Sequence, residues 1–176
     1  MVLDIDGTLI NENNDPNNWS VVSRPYLEEF LYYCFTSFET VSIWTAATKE
    51  WFNYVDETIL KPIRRKYNLP NFFLVWTSER CSYKKDIFTS TRFSIKRLRK
   101  LWKKKKWGLT KYNTLILDNT PRTYIENYGN AVPIPTFDKR FPDSYLKYLT
   151  HYLEQFIDKS TPIRSTDKMD WWLDYF

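Results

Sequence analysis

The sequence predicts an α/β fold, a mostly parallel sheet with helices on both faces and no large cap domain. Three observations lead there. Short apolar runs alternate with amphipathic stripes of helical spacing. The only three glycines, Gly7, Gly108 and Gly129, each fall where a strand or helix should begin or end. At 176 residues and 43% hydrophobic, the chain can bury one sizeable core.

The elements follow in order. Met1–Ile5 is apolar and runs into Asp-Gly, so it reads as a buried strand closed by a tight turn. Residues 11–18, NENNDPNN, read as a polar loop. Pro25 is placed to start a helix through about Phe35 that buries Leu27, Phe30, Leu31 and Cys34. Glu39–Trp44 is a second strand. Thr48 to about Tyr67 reads as one long helix with a stripe of Trp51, Tyr54, Val55, Ile59 and Ile63. Phe72–Trp76 is a third strand, followed by a polar connection around Cys81. A basic helix is expected over Ser94–Lys106, burying Ile95, Leu98, Leu101 and Trp102 and stopped by Gly108. Thr114–Leu117 is a fourth strand ending in Asp118-Asn119. A short helix with Tyr124 and a strand over Ala131–Ile134 come next. The last helix, Asp143 to Ile157, turns Leu146, Leu149, Leu153, Phe156 and Ile157 inward and leaves His151 on its polar face as a bystander. Residues 1–160 form one domain, and the aromatic tail 161–176 is expected to dock on it.

Composition narrows the function classes. No run approaches the ~20 apolar residues that cross a bilayer, and Asp4 and Asp6 interrupt any leader-like stretch. Two cysteines, Cys34 and Cys81, are too few for a disulfide framework, which suits a reducing intracellular compartment, nucleus or cytoplasm. Net charge is +5, and KRLRKLWKKKK over 96–106 concentrates it. That run could attract a phosphorylated peptide or nucleic acid, or be a solvated face.

Parallel sheets bind ligands beyond the carboxyl ends of their strands. Asp4, Asp6, Thr45 and Asp118 therefore converge on one crevice. Phosphate-ester hydrolysis needs a nucleophile, a proton donor for the leaving oxygen and positive charge around the transferring group. Asp4 can attack phosphorus, and Asp6, two residues on, can donate and then accept a proton. Two carboxylates facing a dianionic phosphate call for a cation. The oxygen-rich donors Asp4, Asp6 (backbone carbonyl), Asp118 and Asn119 suit Mg²⁺.

VLDIDGTL resembles the first motif of the haloacid dehalogenase superfamily. More narrowly, the chain is similar to the small C-terminal-domain phosphatases, also called NLI-interacting-factor-like phosphatases. Ser23-Arg24-Pro25 before LEEFL, IWTAATKEW, and LILDNTP followed by NAVPI resemble further family motifs, so the likeness runs from Val2 to about Ile157. It implies a haloacid-dehalogenase-like fold with Asp4 as nucleophile and Asp6 as general acid/base. It further implies Thr45 and Lys96 as phosphate-binding groups, Asn119 as a magnesium ligand, and Asp118 supporting the lysine or the metal. Lys100 substitutes for Lys96 if the alignment slips by a turn. Three departures bear on substrate. The segment before Arg24 is too short for the family's three-stranded insertion, which helps form an apolar pocket for a proline. Thr48 stands where relatives are apolar, and Arg80 immediately precedes Cys81.

The first expectation is a monomeric protein serine/threonine phosphatase acting on phosphopeptides such as the RNA polymerase II C-terminal repeats. The second is a polynucleotide 3′-phosphatase whose basic helix, 96–106, holds the strand. A non-catalytic phosphoprotein-binding module on the same scaffold is the third.

Overall fold

In the computed structural model, which describes residues 1–13, 19–158 and 161–175, five parallel strands form the central sheet. They are β1 (Val2–Leu3), β4 (Ser42–Trp44), β5 (Val75–Trp76), β8 (Ile116–Asp118) and β9 (Ala131–Pro133), in the order β5-β4-β1-β8-β9. The order reverses at β1, so a crevice opens beside it at the carboxyl ends.

Register explains the two-sided core. Leu3 lies beside Ile43 and Leu117, and Leu117 beside Val132. All four face the larger cluster, with α1 (Leu27–Ser37), α2 (Lys49–Val55), α3 (Lys61–Lys66) and α6 (Tyr145–Ile157). Val2, Ile116, Ala131 and Trp44 point the other way, onto Leu98 and Leu101 and onto Tyr124 of α5 (Pro121–Tyr124). Side chains alternate along a strand, so Asp4 and Asp118 fall on this second face. The bond from Asp4 N–H to the Leu117 carbonyl, 3.0 Å, carries the pairing that far.

Several expected elements differ from what is observed: the strands expected over Met1–Ile5 and Glu39–Trp44 shorten to β1 and β4, and the polar connection around Cys81 leads into a strand, Ser82–Lys85. The helix over 48–67 starts as expected, with Thr48 Oγ1 accepting from Trp51 N–H, but a π-turn over Asp56–Leu60 separates α2 from α3. Pro62 lacks an N–H and its ring crowds the preceding turn, which the wider π-turn relieves. The third strand, expected over Phe72–Trp76, reduces to β5. The loop expected at 11–18 begins as strand, since β2 (Ile10–Asn13) pairs antiparallel with β3 (Ser20–Ser23); residues 14–18 lie outside the described residues.

The largest correction concerns the basic helix expected over 94–106. The chain enters it as a strand, β7 (Arg92–Ile95), paired antiparallel with β6 (Ser82–Lys85). Only α4 (Arg99–Trp102) is helical, before a 3₁₀ turn at Lys105–Trp107 and Gly108 at φ +68°. Ile95, Leu98 and Leu101 are buried as the pattern requires. Four successive lysines, 103–106, repel one another and favour no further helical turn. The expected basic helix is therefore a strand end, one short helix and a turn, with lysines 103–106 left exposed.

The tail packs back on α6. Trp171 stacks on Tyr152 at 5.1 Å and donates its indole N–H to the Pro133 carbonyl at 2.7 Å, while Tyr175 stacks on Tyr148. Phe176 lies outside the described residues. Among the described residues no helix is long and apolar enough to cross a membrane.

Candidate active site

The floor of the crevice is a buried charged cluster. Lys96 follows β7 directly and is 1% exposed. Its Nζ donates to Asp4 Oδ1 and, at 2.8 Å, to Asp118 Oδ2. Its backbone is clamped in turn. Lys96 N–H donates to the Thr123 carbonyl at 2.7 Å, the Asn127 amide donates to the Lys96 carbonyl, and Leu98 N–H donates to Asn127 Oδ1 at 3.1 Å. Asp118 is completely buried. Thr123 Oγ1 donates to its Oδ2 at 2.6 Å and Thr120 N–H to its Oδ1 at 2.8 Å. Both oxygens are engaged, so Asp118 is built as a holder of the lysine. Lys100 points elsewhere, to the Arg80 carbonyl at 2.6 Å.

The loop after β1 brings the next groups in. The Ile5 carbonyl accepts from the N–H groups of Thr8, Leu9 and Ile10, coiling the chain tightly. Gly7 sits at φ +73°, and a Cβ there would lie 2.5 Å from Asn119 Nδ2. Glycine is therefore required both for the turn and for the close approach to Asn119. Thr8 Oγ1 lies between the two halves of the site, 2.8 Å from Asp4 Oδ2 and 3.1 Å from Asn119 Oδ1. Buried Arg24 fastens this loop from behind, donating to the Thr8 and Pro135 carbonyls at 2.9 Å and pairing with Asp143.

Asp6 stands higher and is half-buried. Thr45 Oγ1 donates to its Oδ2 at 3.0 Å and the Trp51 indole N–H to its Oδ1 at 2.6 Å. Trp19, from the loop into β3, meets Trp51 edge-on at 5.3 Å. The β2–β3 hairpin thus supports the residue that orients Asp6.

Electrostatics separates the two aspartates' surroundings. Burial pushes the Asp4 carboxyl up to about 7; Lys96 opposes this, and the Asp118 and Asp6 carboxylates add to it. Burial works against the Lys96 charge, but Asp118 and Asp4 outweigh it and hold the ammonium above its ordinary range. Two carboxylates share one lysine, with a third carboxylate nearby, so the cluster is short of positive charge. An oxygen-donor set with a charge deficit fits a hard divalent cation. Among the described residues no three His, Cys, Asp or Glu side chains form a metal cage.

Asp4, Asp6, Thr45, Lys96, Asp118 and Asn119 all meet in this crevice. Sequence reasoning missed Thr8, Trp51, Thr123 and Asn127. Trp51 belongs to the apolar stripe in the sequence, and it is indeed 7% exposed; only its indole nitrogen betrays the second task. Thr123 carries the one available signal, lying five residues after Asp118 on the helix that follows its strand.

The model of the NLI interacting factor-like phosphatases matches residues 1–164. The chain belongs to this family. Ubiquitin-like domain-containing CTD phosphatase 1 of Homo sapiens is 28% identical over 161 residues, covering 88% of this chain and 48% of that protein; the Xenopus laevis protein is 27% identical over the same span. The chain thus spans about half the length of the curated relatives it matches. Among solved structures, the fission yeast RNA polymerase II CTD phosphatase bound to beryllium fluoride has a TM-score of 0.51 at 16% identity, covering 91% of this chain and 50% of that one. An uncharacterized protein from Listeria monocytogenes serotype 4b has a TM-score of 0.54 at 14% identity, covering 90% and 97%. These two likenesses concern the fold, which is the family's haloacid-dehalogenase-like α/β sheet.

Proposed function

We propose that the chain is a magnesium-dependent phosphatase that works through a phosphorylated Asp4. Its substrate is a phosphoserine or phosphothreonine protein, of the class to which the polymerase C-terminal repeats belong. The observation that carries this reading is Lys96 bonded to both Asp4 and Asp118, with Asp6 two residues on at the same strand end.

Asp4 attacks phosphorus, forming an acyl phosphate as the bond to the leaving oxygen breaks; the proton for that oxygen comes from Asp6. Asp6 then removes a proton from water, whose oxygen bonds to phosphorus and releases inorganic phosphate while the Asp4 carboxylate is restored. Lys96 neutralises charge on the transferring group, and Asp118, with Thr123, keeps it aimed. Thr45, whose hydroxyl now donates to Asp6, is placed to turn to a phosphate oxygen. Asp4, the Asp6 carbonyl and Asn119 would hold Mg²⁺, which supplies positive charge for the phosphoryl oxygens. The exposed run of lysines at 103–106 favours a second reading, a polynucleotide 3′-phosphatase.

Pure protein with Mg²⁺ on an aryl phosphate, a phosphoserine repeat peptide and a 3′-phosphorylated oligonucleotide separates these readings. The first two are expected to turn over, with loss in EDTA and recovery on added Mg²⁺. Turnover of the oligonucleotide alone favours the second reading. No turnover of any of them leaves a phosphoprotein-binding module.

A further inference from the structure

Among the described residues the most exposed large apolar side chains lie at the tip of the β6–β7 hairpin, where Ile87 is 90% and Phe88 96% exposed. The tip is ordered by its own hydrogen bonds. Asp86 Oδ1 accepts from Phe88 N–H at 2.9 Å and Thr89 N–H at 3.1 Å. Asp86 N–H donates to the Thr91 carbonyl, and Ser90 N–H donates back to the Asp86 carbonyl. Arg122 of α5 pairs with Asp86 at 3.1 Å and lies over the Phe93 ring, bracing the hairpin against the domain. Two large apolar groups are thus held out in water by a preorganised turn. Lys85 and Arg92, paired across the strands below it, are both exposed, while Lys84 on the opposite face pairs with Glu126 at 2.9 Å. The hairpin is rooted at the site: Cys81 contacts the Thr45 carbonyl, and β7 runs straight into Lys96.

We propose that this tip is a docking site for the phosphoprotein substrate. Ile87 and Phe88 take an apolar segment of the substrate, and Lys85 and Arg92 take acidic residues flanking it. The charge of the surround selects the occupant, and preorganisation lowers the cost of binding it. Phe88 is eight residues from Lys96, so the docked segment lies on the order of 20 Å from the phosphorylated residue, about six to eight extended residues away. The inference rests on the phosphatase reading for the identity of the substrate, and its test is chosen to fail separately.

Two phosphoserine peptides are compared. One carries a Leu-Leu-Glu-Glu-Glu cluster about seven residues from the phosphoserine, on either side in separate versions, and the other has Ser-Gly repeats there. Wild type is expected to prefer a clustered peptide by about tenfold in kcat/KM, expressed in KM. Ile87→Ser with Phe88→Ser, and separately Lys85→Glu with Arg92→Glu, should remove that preference while aryl phosphate turnover stays at the wild-type level. Fluorescence anisotropy of the labelled clustered peptide reads docking without catalysis, so an inactive protein still tests the surface. Equal treatment of the peptides by wild type, or an unchanged preference in the variants, overturns the proposal. So does tip-dependent sedimentation with phosphatidylserine vesicles in place of peptide binding, which would assign the tip to a membrane.

Discussion

Lys96 and Phe88 stand eight residues apart along one hairpin, the first 1% exposed between two carboxylates and the second 96% exposed in water. The same strand pairing serves both. At the root, Ile95 joins the apolar core and every polar group of Lys96 has a partner, so the charge is held in place. At the tip the backbone is equally well bonded, yet the side chains touch little. A buried charge survives only inside a complete network, whereas an exposed apolar pair costs little folding stability and is free to serve a partner. On the proposed readings, the floor sets the chemistry and the hairpin tip selects what is brought to it.

The sharpest way to break this contrast is to remove the proposed nucleophile. Asp4→Asn should reduce turnover of every substrate to background, while tip variants leave the aryl phosphate untouched. Next comes Lys96→Met, expected to lower kcat by roughly 10² to 10³ and to destabilise the fold by about 3–5 kcal/mol, because Asp4 and Asp118 lose their buried partner. Lys100→Met, whose ammonium caps only the Arg80 carbonyl, should match wild type in both assays. Near-equal losses at the two positions would contradict the separation of floor from surface.

A smaller effect is expected from Trp51→Phe, which deletes the donor to Asp6 but keeps the ring. Phosphoserine, with a poor leaving oxygen, should lose about tenfold in kcat. A nitrophenyl phosphate, which needs little proton donation, should lose much less. Equal losses on both substrates would reduce Trp51 to a packing residue.

The smallest effect concerns pH and stability. Asp4 has an ordinary value of 3.8 and is pushed to about 7 in the fold, chiefly by burial. An acid raised in this way costs nothing below pH 4; its ionisation costs progressively more to about pH 7, and the full cost persists above. In EDTA, Asp4→Asn should therefore raise Tm at pH 8 and give no gain at pH 4. A gain independent of pH would mean that the Asp4 charge is not what strains the floor.

Much of the floor was legible in the sequence because it obeys local rules. Asp4, Thr45 and Asp118 each close an apolar run, and a parallel sheet gathers such ends in one place. Lys96 was legible only through the family resemblance, since its segment read as a helix. The strand RFSI and its partner SYKK carry no Asn-Gly or Asp-Gly turn, and their pairing spans a six-residue connection that leaves little periodic signal. The clamps on the Lys96 backbone were not legible at all. Thr123 bonds locally to Asp118, but it and Asn127 reach the Lys96 backbone through long-range bonds, contacts that exist only once the segment after β8 has packed on β7. Trp51 hid for another reason, as one side chain serving both the core and the site.

Phosphorylation of Asp4 itself decides the mechanism. Protein mixed with Mg²⁺ and a ³²P-labelled phosphoserine peptide, quenched in acid and mapped by mass spectrometry, tests that directly. A hydroxylamine-labile phosphate on Asp4, absent from Asp4→Asn, is the predicted result. Turnover accompanied by label on another residue, or turnover undiminished in Asp4→Asn, would contradict it.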